Sequence, residues 1–148
     1  MAREIEIVFE KGGTFVAELF EKQAPRNCQT LWDALPLQAE AIQAAYSGQS
    51  VWMVTKEIPI ESVHEENQKL LGNLPGTVGL EAYGPETNIP RTEVIIVYGP
   101  NYYPRTPFVG ERPVNRVAMI KGNLDELLKK GNTIREYGKQ KVTIRRKE

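Results

Sequence analysis

Residues 4–35 read EIEIVFEKGGTFVAELFEKQAPRNCQTLWDAL, and the spacing of their apolar residues changes once. Across residues 4–10, Ile5, Ile7 and Phe9 alternate with Glu4, Glu6 and Glu10, the two-residue period of a strand with one buried face; Val8 is the exception. Gly12-Gly13 supplies a flexible turn, and Phe15, Ala17 and Leu19 resume the alternation, so the first twenty residues predict a β-hairpin. After Ala24 the period lengthens, with Cys28, Leu31, Trp32 and Leu35 at the i, i+3, i+4, i+7 positions of one helix face. Pro25 suits the first helical turn, where its missing N–H costs nothing, and Pro36 disfavours helical geometry at Leu35 and marks the end.

The strand pattern continues outward from there. Residues 41–46 and 50–54 flank Ser47-Gly48-Gln49 as strand, turn and strand, and residues 56–75 form a long connection with a short helical turn over 65–71. Residues 77–83 and 93–98 predict two more strands. The second contains Val94-Ile95-Ile96-Val97, a β-branched run expected to be buried on both faces. Between residues 99 and 113, Pro100, Pro104, Pro107 and Pro113 interleave with Tyr102, Tyr103 and Phe108, too many prolines for an interior strand, so an ordered surface loop is expected. Residues 114–120 predict a strand. A helix follows, capped at Asn123, with Asp125 and Glu126 in its first turn, Lys129 and Lys130 in its last, Gly131 stopping it, and Leu124, Leu127 and Leu128 as its buried stripe. The last strand alternates Val142 and Ile144 with Lys141, Thr143 and Arg145. Beside the acidic first strand it would bring Glu4 and Glu6 near Lys141 and Arg145, each opposite pair contributing roughly 0.2–1 kcal/mol.

A chain of 148 residues, 41% hydrophobic and 26% charged, is expected to fold as a single domain over 1–148 with a core of its own. Lys+Arg and Asp+Glu both number 19, so no net field draws it to nucleic acid or to an anionic membrane, and the basic residues 139–147 carry no stacking aromatics between them. The lone Cys28 excludes an internal disulfide, the Met1-Ala-Arg-Glu start lacks a secretory signal, and no apolar run reaches the roughly 20 residues of a membrane span, so a cytoplasmic location is expected. His64, with Glu65, Glu66 and Asn67 beside it, is the single histidine; one His and one Cys make a poor transition-metal site, and no metal is expected. Cys28 lies on an apolar helix face, where a thiol behaves as a core residue. With no Gly-rich phosphate loop after a strand, no paired Cys motif and no nucleophile elbow, no cofactor is expected.

Seven or eight short strands with two helices, one after the first hairpin and one before the last strand, suit a closed β-barrel with a helix at each mouth. Residues 18–27 (ELFEKQAPRN) and 117–125 (VAMIKGNLD) are similar to the cyclophilin segments that lead into the first and second helices. The chain also resembles a prokaryotic cyclophilin-like family of unknown function through Ala24-Pro25, Leu31-Trp32, Leu35-Pro36, Tyr46-Ser47-Gly48 with Trp52, Leu74-Pro75-Gly76, and residues 93–99. This resemblance implies a mainly β fold, a closed cyclophilin-like antiparallel β-barrel capped by two α-helices.

In cyclophilins an arginine beside a Phe-His pair polarises the peptide bond being rotated. The matching residues here, 41–46 (AIQAAY), hold no cation. Rotation about a prolyl bond faces a barrier near 20 kcal/mol, and lowering it needs a preorganised donor, so standard prolyl isomerase catalysis is not expected unless Arg91, Arg105 or Arg112 reaches the cleft from a loop. The expected function is instead small-molecule or peptide binding in a cleft beside the barrel. Tyr46, Trp52 and Tyr98 are candidates for its aromatic wall, and Tyr102, Tyr103 and Arg105 for a lid. Two other readings stand beside it: an atypical isomerase with a displaced arginine, and an accessory subunit of an enzyme acting on cyclic amides or ureides. Self-pairing into a homo-oligomer through an exposed strand edge is a further expectation.

Overall fold

The computed structural model describes residues 2–66, 74–106 and 110–148. Of the helical turn expected over 65–71, only Glu65 and Glu66 fall within that set; Asn67, Pro107 and Phe108 lie outside it. The opening hairpin forms as its alternation demands. β1 (Glu4–Phe9) buries Ile5, Ile7 and Phe9, and β2 (Thr14–Leu19) buries Phe15, Ala17 and Leu19 against them. Gly12 and Gly13, both with φ near +100°, make the turn.

Helix α1 (Pro25–Ala34) starts at its proline and buries Cys28 and Leu31 in the core, with Trp32 partly covered beside them. Ala24 has no side-chain oxygen with which to cap it. The Glu66 carboxylate does so from across the chain, accepting the backbone N–H groups of Arg26 (3.0 Å) and Asn27 (2.8 Å). Then come β3 (Leu37–Gln43), β4 (Gly48–Thr55), a 3-10 turn at Ile60–Ser62, β5 (Thr77–Tyr83), β6 (Arg91–Tyr102), the short pair β7 (Arg105–Thr106) and β8 (Gly110–Glu111), β9 (Arg116–Ile120), α2 (Leu124–Tyr137) and β10 (Gln140–Arg146). Eight of these strands close a barrel in the order β1-β10-β3-β4-β6-β5-β9-β2, every pair antiparallel. Closure gives each barrel strand a neighbour on both sides, although β3 and β4 meet only at Ile42–Trp52 and Gln43–Val51.

Four details depart from the sequence reading. First, β3 starts directly after Pro36 and ends at Gln43, leaving Tyr46 in the turn rather than on a strand; the Gln43 amide ties that turn by donating to the carbonyls of Ala44 and Gly48. Second, β6 runs through Pro100 to Tyr102. It pairs Ser50 with Val97 but Gly48 with Tyr102, so the intervening chain bulges out of register and the exposed Pro100 owes no ladder bond.

Third, α2 passes Gly131 and stops at Gly138, whose φ is +103°. Gly131 is buried mid-helix because a β-carbon there would overlap the ring of Tyr98. The extra turns let Ile134 join Leu127 in the core; Leu128 packs partly against it, and Leu124 is 41% exposed. Asn123 occupies the N-cap in the left-handed conformation and makes no side-chain capping bond. Fourth, Glu6 does pair with Arg145 (3.0 Å), but Glu4 pairs with Lys121 (2.5 Å) and Lys147 (3.7 Å) rather than Lys141.

Candidate functional site

Strands β4, β5 and β6 are neighbours in the barrel, and their side chains alternate between its inside and its outside. Val51 and Met53, Val78 and Leu80, and Val94 and Ile96 point into the core. The residues between them point outward, yet most are not in water. The chain beyond β6 folds back over this outer face, where Tyr102 and Val114 form a second small core with Val97. Gly79 permits the approach: a β-carbon there would overlap the Val114 side chain. Beside this core lies a cavity of about 330 Å³, within the range of small-molecule sites.

On the floor of the cavity, Glu81 and Glu93 stand directly opposite each other on β5 and β6. Two carboxylates so placed repel, and each has its own arginine. Arg91 Nε bonds Glu93 Oε2 at 2.6 Å while its guanidinium lies 4.7 Å from the Trp52 ring centre. Arg112 Nε lies 3.2 Å from Glu81 Oε1, with its guanidinium 4.8 Å from the Tyr83 ring and one NH2 group donating to the Ala82 carbonyl (3.0 Å). Glu81 Oε2 also accepts the backbone N–H of Asn115 (2.9 Å), so this carboxylate straps the overlying segment to the sheet. Stacking on aromatic faces fixes both guanidinium planes as well as their charge.

Burial sets the electrostatics. It lifts the Glu81 carboxyl to about 7, against the pull of the Asn115 N–H and of Arg112, and it lifts Glu93 against the pull of Arg91. It also pushes the hydroxyls of Tyr83 and Tyr102 above the usual phenol range, with the two carboxylates adding to the effect.

Of the residues singled out from the sequence, Tyr46, Trp52, Tyr102 and Arg105 line this cavity, as do Arg91 and Arg112. Tyr46 sits on the rim and is 60% exposed. Arg105 is pinned through its main chain, its N–H donating to Ser47 Oγ and its carbonyl accepting from it, both at 3.0 Å. Tyr103 is not part of the lining; it stacks on the Arg105 guanidinium at 5.2 Å. Tyr98 belongs to the barrel interior under α2, its hydroxyl donating to Gln43 Oε1 at 2.6 Å.

Glu81, Glu93 and Tyr83 were not anticipated. Their signal is present but faint, a Glu-x-Tyr at 81–83 and an Arg-x-Glu at 91–93, each with outward spacing on a strand that reads as core.

The other candidates lie elsewhere. Cys28 is fully buried, its thiol 3.4 Å from the Val117 carbonyl and pushed up by burial to about 12, which removes it as a nucleophile. The His64 main chain is bonded on both sides to the Asn27 side chain, His64 N donating to Oδ1 (2.7 Å) and Asn27 Nδ2 donating to the His64 carbonyl (2.6 Å). Among the described residues no three His, Cys, Asp or Glu side chains converge as a metal site, and no helix is long and apolar enough to cross a membrane.

A family described as "Protein of unknown function (DUF3830)" matches residues 7–146. No curated protein matches the chain. Among solved structures, McbB in complex with tryptophan is similar over 97% of this chain at 21% identity and a TM-score of 0.72; the chain spans 44% of that protein's length. A hypothetical protein from Archaeoglobus fulgidus is 19% identical over 99% of this chain and 95% of its own, with a TM-score of 0.58. A Mimivirus cyclophilin is 16% identical over 97% of this chain and 86% of its own, with a TM-score of 0.63. At these identities the likeness is one of fold: a cyclophilin-like barrel, as the sequence resemblance implied.

Proposed function

The chain belongs to the DUF3830 family, and from that premise we propose that it is a small-molecule-binding protein whose ligand occupies the roofed cavity outside β4, β5 and β6. The observation that carries this reading is the pairing of largely buried carboxylates with arginines stacked on aromatic faces, all lining a half-open cavity of about 330 Å³. Such ion pairs are costly to bury and add little stability over apolar packing, so their placement around a cavity favours recognition over scaffolding. The roof formed by the returning chain favours a compact ligand over an extended peptide. McbB, a relative in fold alone, was solved with tryptophan, which agrees with a ligand of that size. In this reading Trp52 and Tyr102 supply the apolar walls, Tyr46 the rim and Arg105 a charged contact.

Calorimetric titration of the whole chain with tryptophan and a panel of small aromatic acids tests the proposal, with Trp52→Ala and Arg105→Ala as controls. A compound that binds the native chain and is weakened by both changes supports it. A ligand indifferent to both changes would place binding elsewhere.

An atypical isomerase is the second reading, favoured by the three arginines on the cavity. Two of them are held by Glu81 and Glu93, which leaves Arg105 as the donor to a prolyl amide. A direct cis/trans assay on a proline peptide decides it, and no acceleration at high protein concentration ends it.

A further inference from the structure

The charges around the cavity do not cancel. Its lining holds Arg91, Arg105 and Arg112 against Glu81 and Glu93. Arg91 and Arg112 each have a carboxylate partner. Arg105 has none in ion-pair contact: its guanidinium faces the Tyr103 ring, and among the described residues no carboxylate pairs with it, Glu111 standing opposite it on β8 without an ion pair. Because Ser47 fixes the Arg105 main chain, the guanidinium is a tethered cation at the mouth of an otherwise neutralised site. That arrangement attracts one negative charge and repels a cationic ligand.

A free acceptor accompanies this cation. Glu81 uses both oxygens, one for Arg112 and one for the Asn115 N–H. Glu93 commits Oε2 to Arg91, and among the described residues no donor reaches its Oε1, although the side chain is only 7% exposed. That oxygen is not sealed off, and Glu93 lines the cavity, so Oε1 is free to accept a hydrogen bond that a ligand donor supplies. Trp52, Ile95 and Tyr102 line the apolar remainder, a surface that suits a flat body.

Resting on the small-molecule reading above, we propose that the ligand is a planar organic monoanion bearing a neutral N–H, its carboxylate held by Arg105 and its N–H donating to Glu93 Oε1. The probes are indoleacetate, which has both groups, N-methylindoleacetate, which lacks the donor, and indoleacetamide, which lacks the charge. Calorimetry on the whole chain is expected to show indoleacetate bound at least about tenfold more tightly than either analogue. Arg105→Ala should erase the preference for acid over amide and keep the preference for N–H over N-methyl. Glu93→Leu should do the reverse, with its fold checked by circular dichroism. If that variant does not fold, the native chain's discrimination among the three probes still decides. Equal affinity for all three overturns this inference and leaves small-molecule binding standing. Binding of a panel compound that lacks either group, with none of the three probes bound, also overturns it. Silence from every compound removes the broader reading as well.

Discussion

The inner and outer faces of β4, β5 and β6 come from the same strands and are both largely withheld from water, yet they are made of opposite materials. Inside, Val51, Met53, Leu80, Val94 and Ile96 pack with no charge among them. Outside, Glu81, Glu93, Arg91 and Arg112 are interleaved with Trp52 and Tyr83 around a cavity. The inner face gains stability from each apolar contact it makes. The outer face gives up stability to hold ionised groups in fixed places, the usual signature of recognition or chemistry rather than of scaffolding. Perturbations of the two faces should therefore separate stability from binding.

The largest expected effect is on the outer face. Burial raises the Glu81 carboxyl from 4.5 to about 7, so the folded chain holds this proton more tightly than the unfolded chain does. The associated stability is fully present below about pH 4.5 and is lost as pH rises through about 7, amounting to at most roughly 3 kcal/mol. Urea denaturation at pH values on either side of that window should show the fall. Glu81→Gln should remove its share of the slope and leave that of Glu93, whose carboxyl burial also raises. An unchanged slope in Glu81→Gln would mean that this carboxylate is not the buried ion described here.

On the inner face, Gly131→Ala sets a β-carbon against the Tyr98 ring. Helix propensity would favour alanine by up to about 1 kcal/mol, but overpacking of a filled core costs about 1–3 kcal/mol and should win, lowering the urea midpoint while probe affinity stays the same. The mirror experiment is Gly79→Ala, where the new methyl meets Val114 under the strap. A similar or smaller loss of about 1 kcal/mol is expected in stability, this time with weakened probe binding. If both glycine variants shift the same observable, the two faces are not independent.

Trp52→Ala should cost about tenfold in affinity, near 1.4 kcal/mol, by removing a wall of the cavity and the plane on which Arg91 rests; calorimetry reads it. The smallest effect belongs to neither face. Arg145→Ala breaks the Glu6 ion pair between β10 and β1, and with Arg145 51% exposed the loss should stay below about 1 kcal/mol in the same urea titration.

Much of the fold was legible because local rules sufficed. The alternation of Ile5, Ile7 and Phe9, the proline at the start of α1 and the β-branched run at 94–97 act within a few residues of themselves. The readings that changed depended on distant partners. Gly131 looked like a helix stop until Tyr98, from another strand, required the gap it leaves. Pro100 looked incompatible with a strand until the register slip opposite Gly48 removed the need for its N–H. The capping of α1 by Glu66 spans 40 residues between Arg26 and Glu66 and leaves no trace at Ala24.

The candidate site divides the same way. Trp52, Tyr46, Tyr102 and Arg105 could be named from residue type and position, since aromatic and cationic side chains near a loop are conspicuous in a sequence. Tyr98 was equally conspicuous and lies inside the barrel, because parity along β6 alone does not say which side the roof covers.

By itself the sequence determined the strand and helix periods and their order, and with them a barrel whose last strand lies beside its first, because side-chain periodicity and turn chemistry are local properties of the chain. Only tertiary structure decided that the outer face of β4, β5 and β6 is buried and that Glu81 and Glu93 share its floor. Only tertiary structure decided, too, that Arg105 lines it with no ion pair among the described residues. Burial and charge pairing are sums over residues far apart in the chain, and no window of sequence contains both members of such a pair.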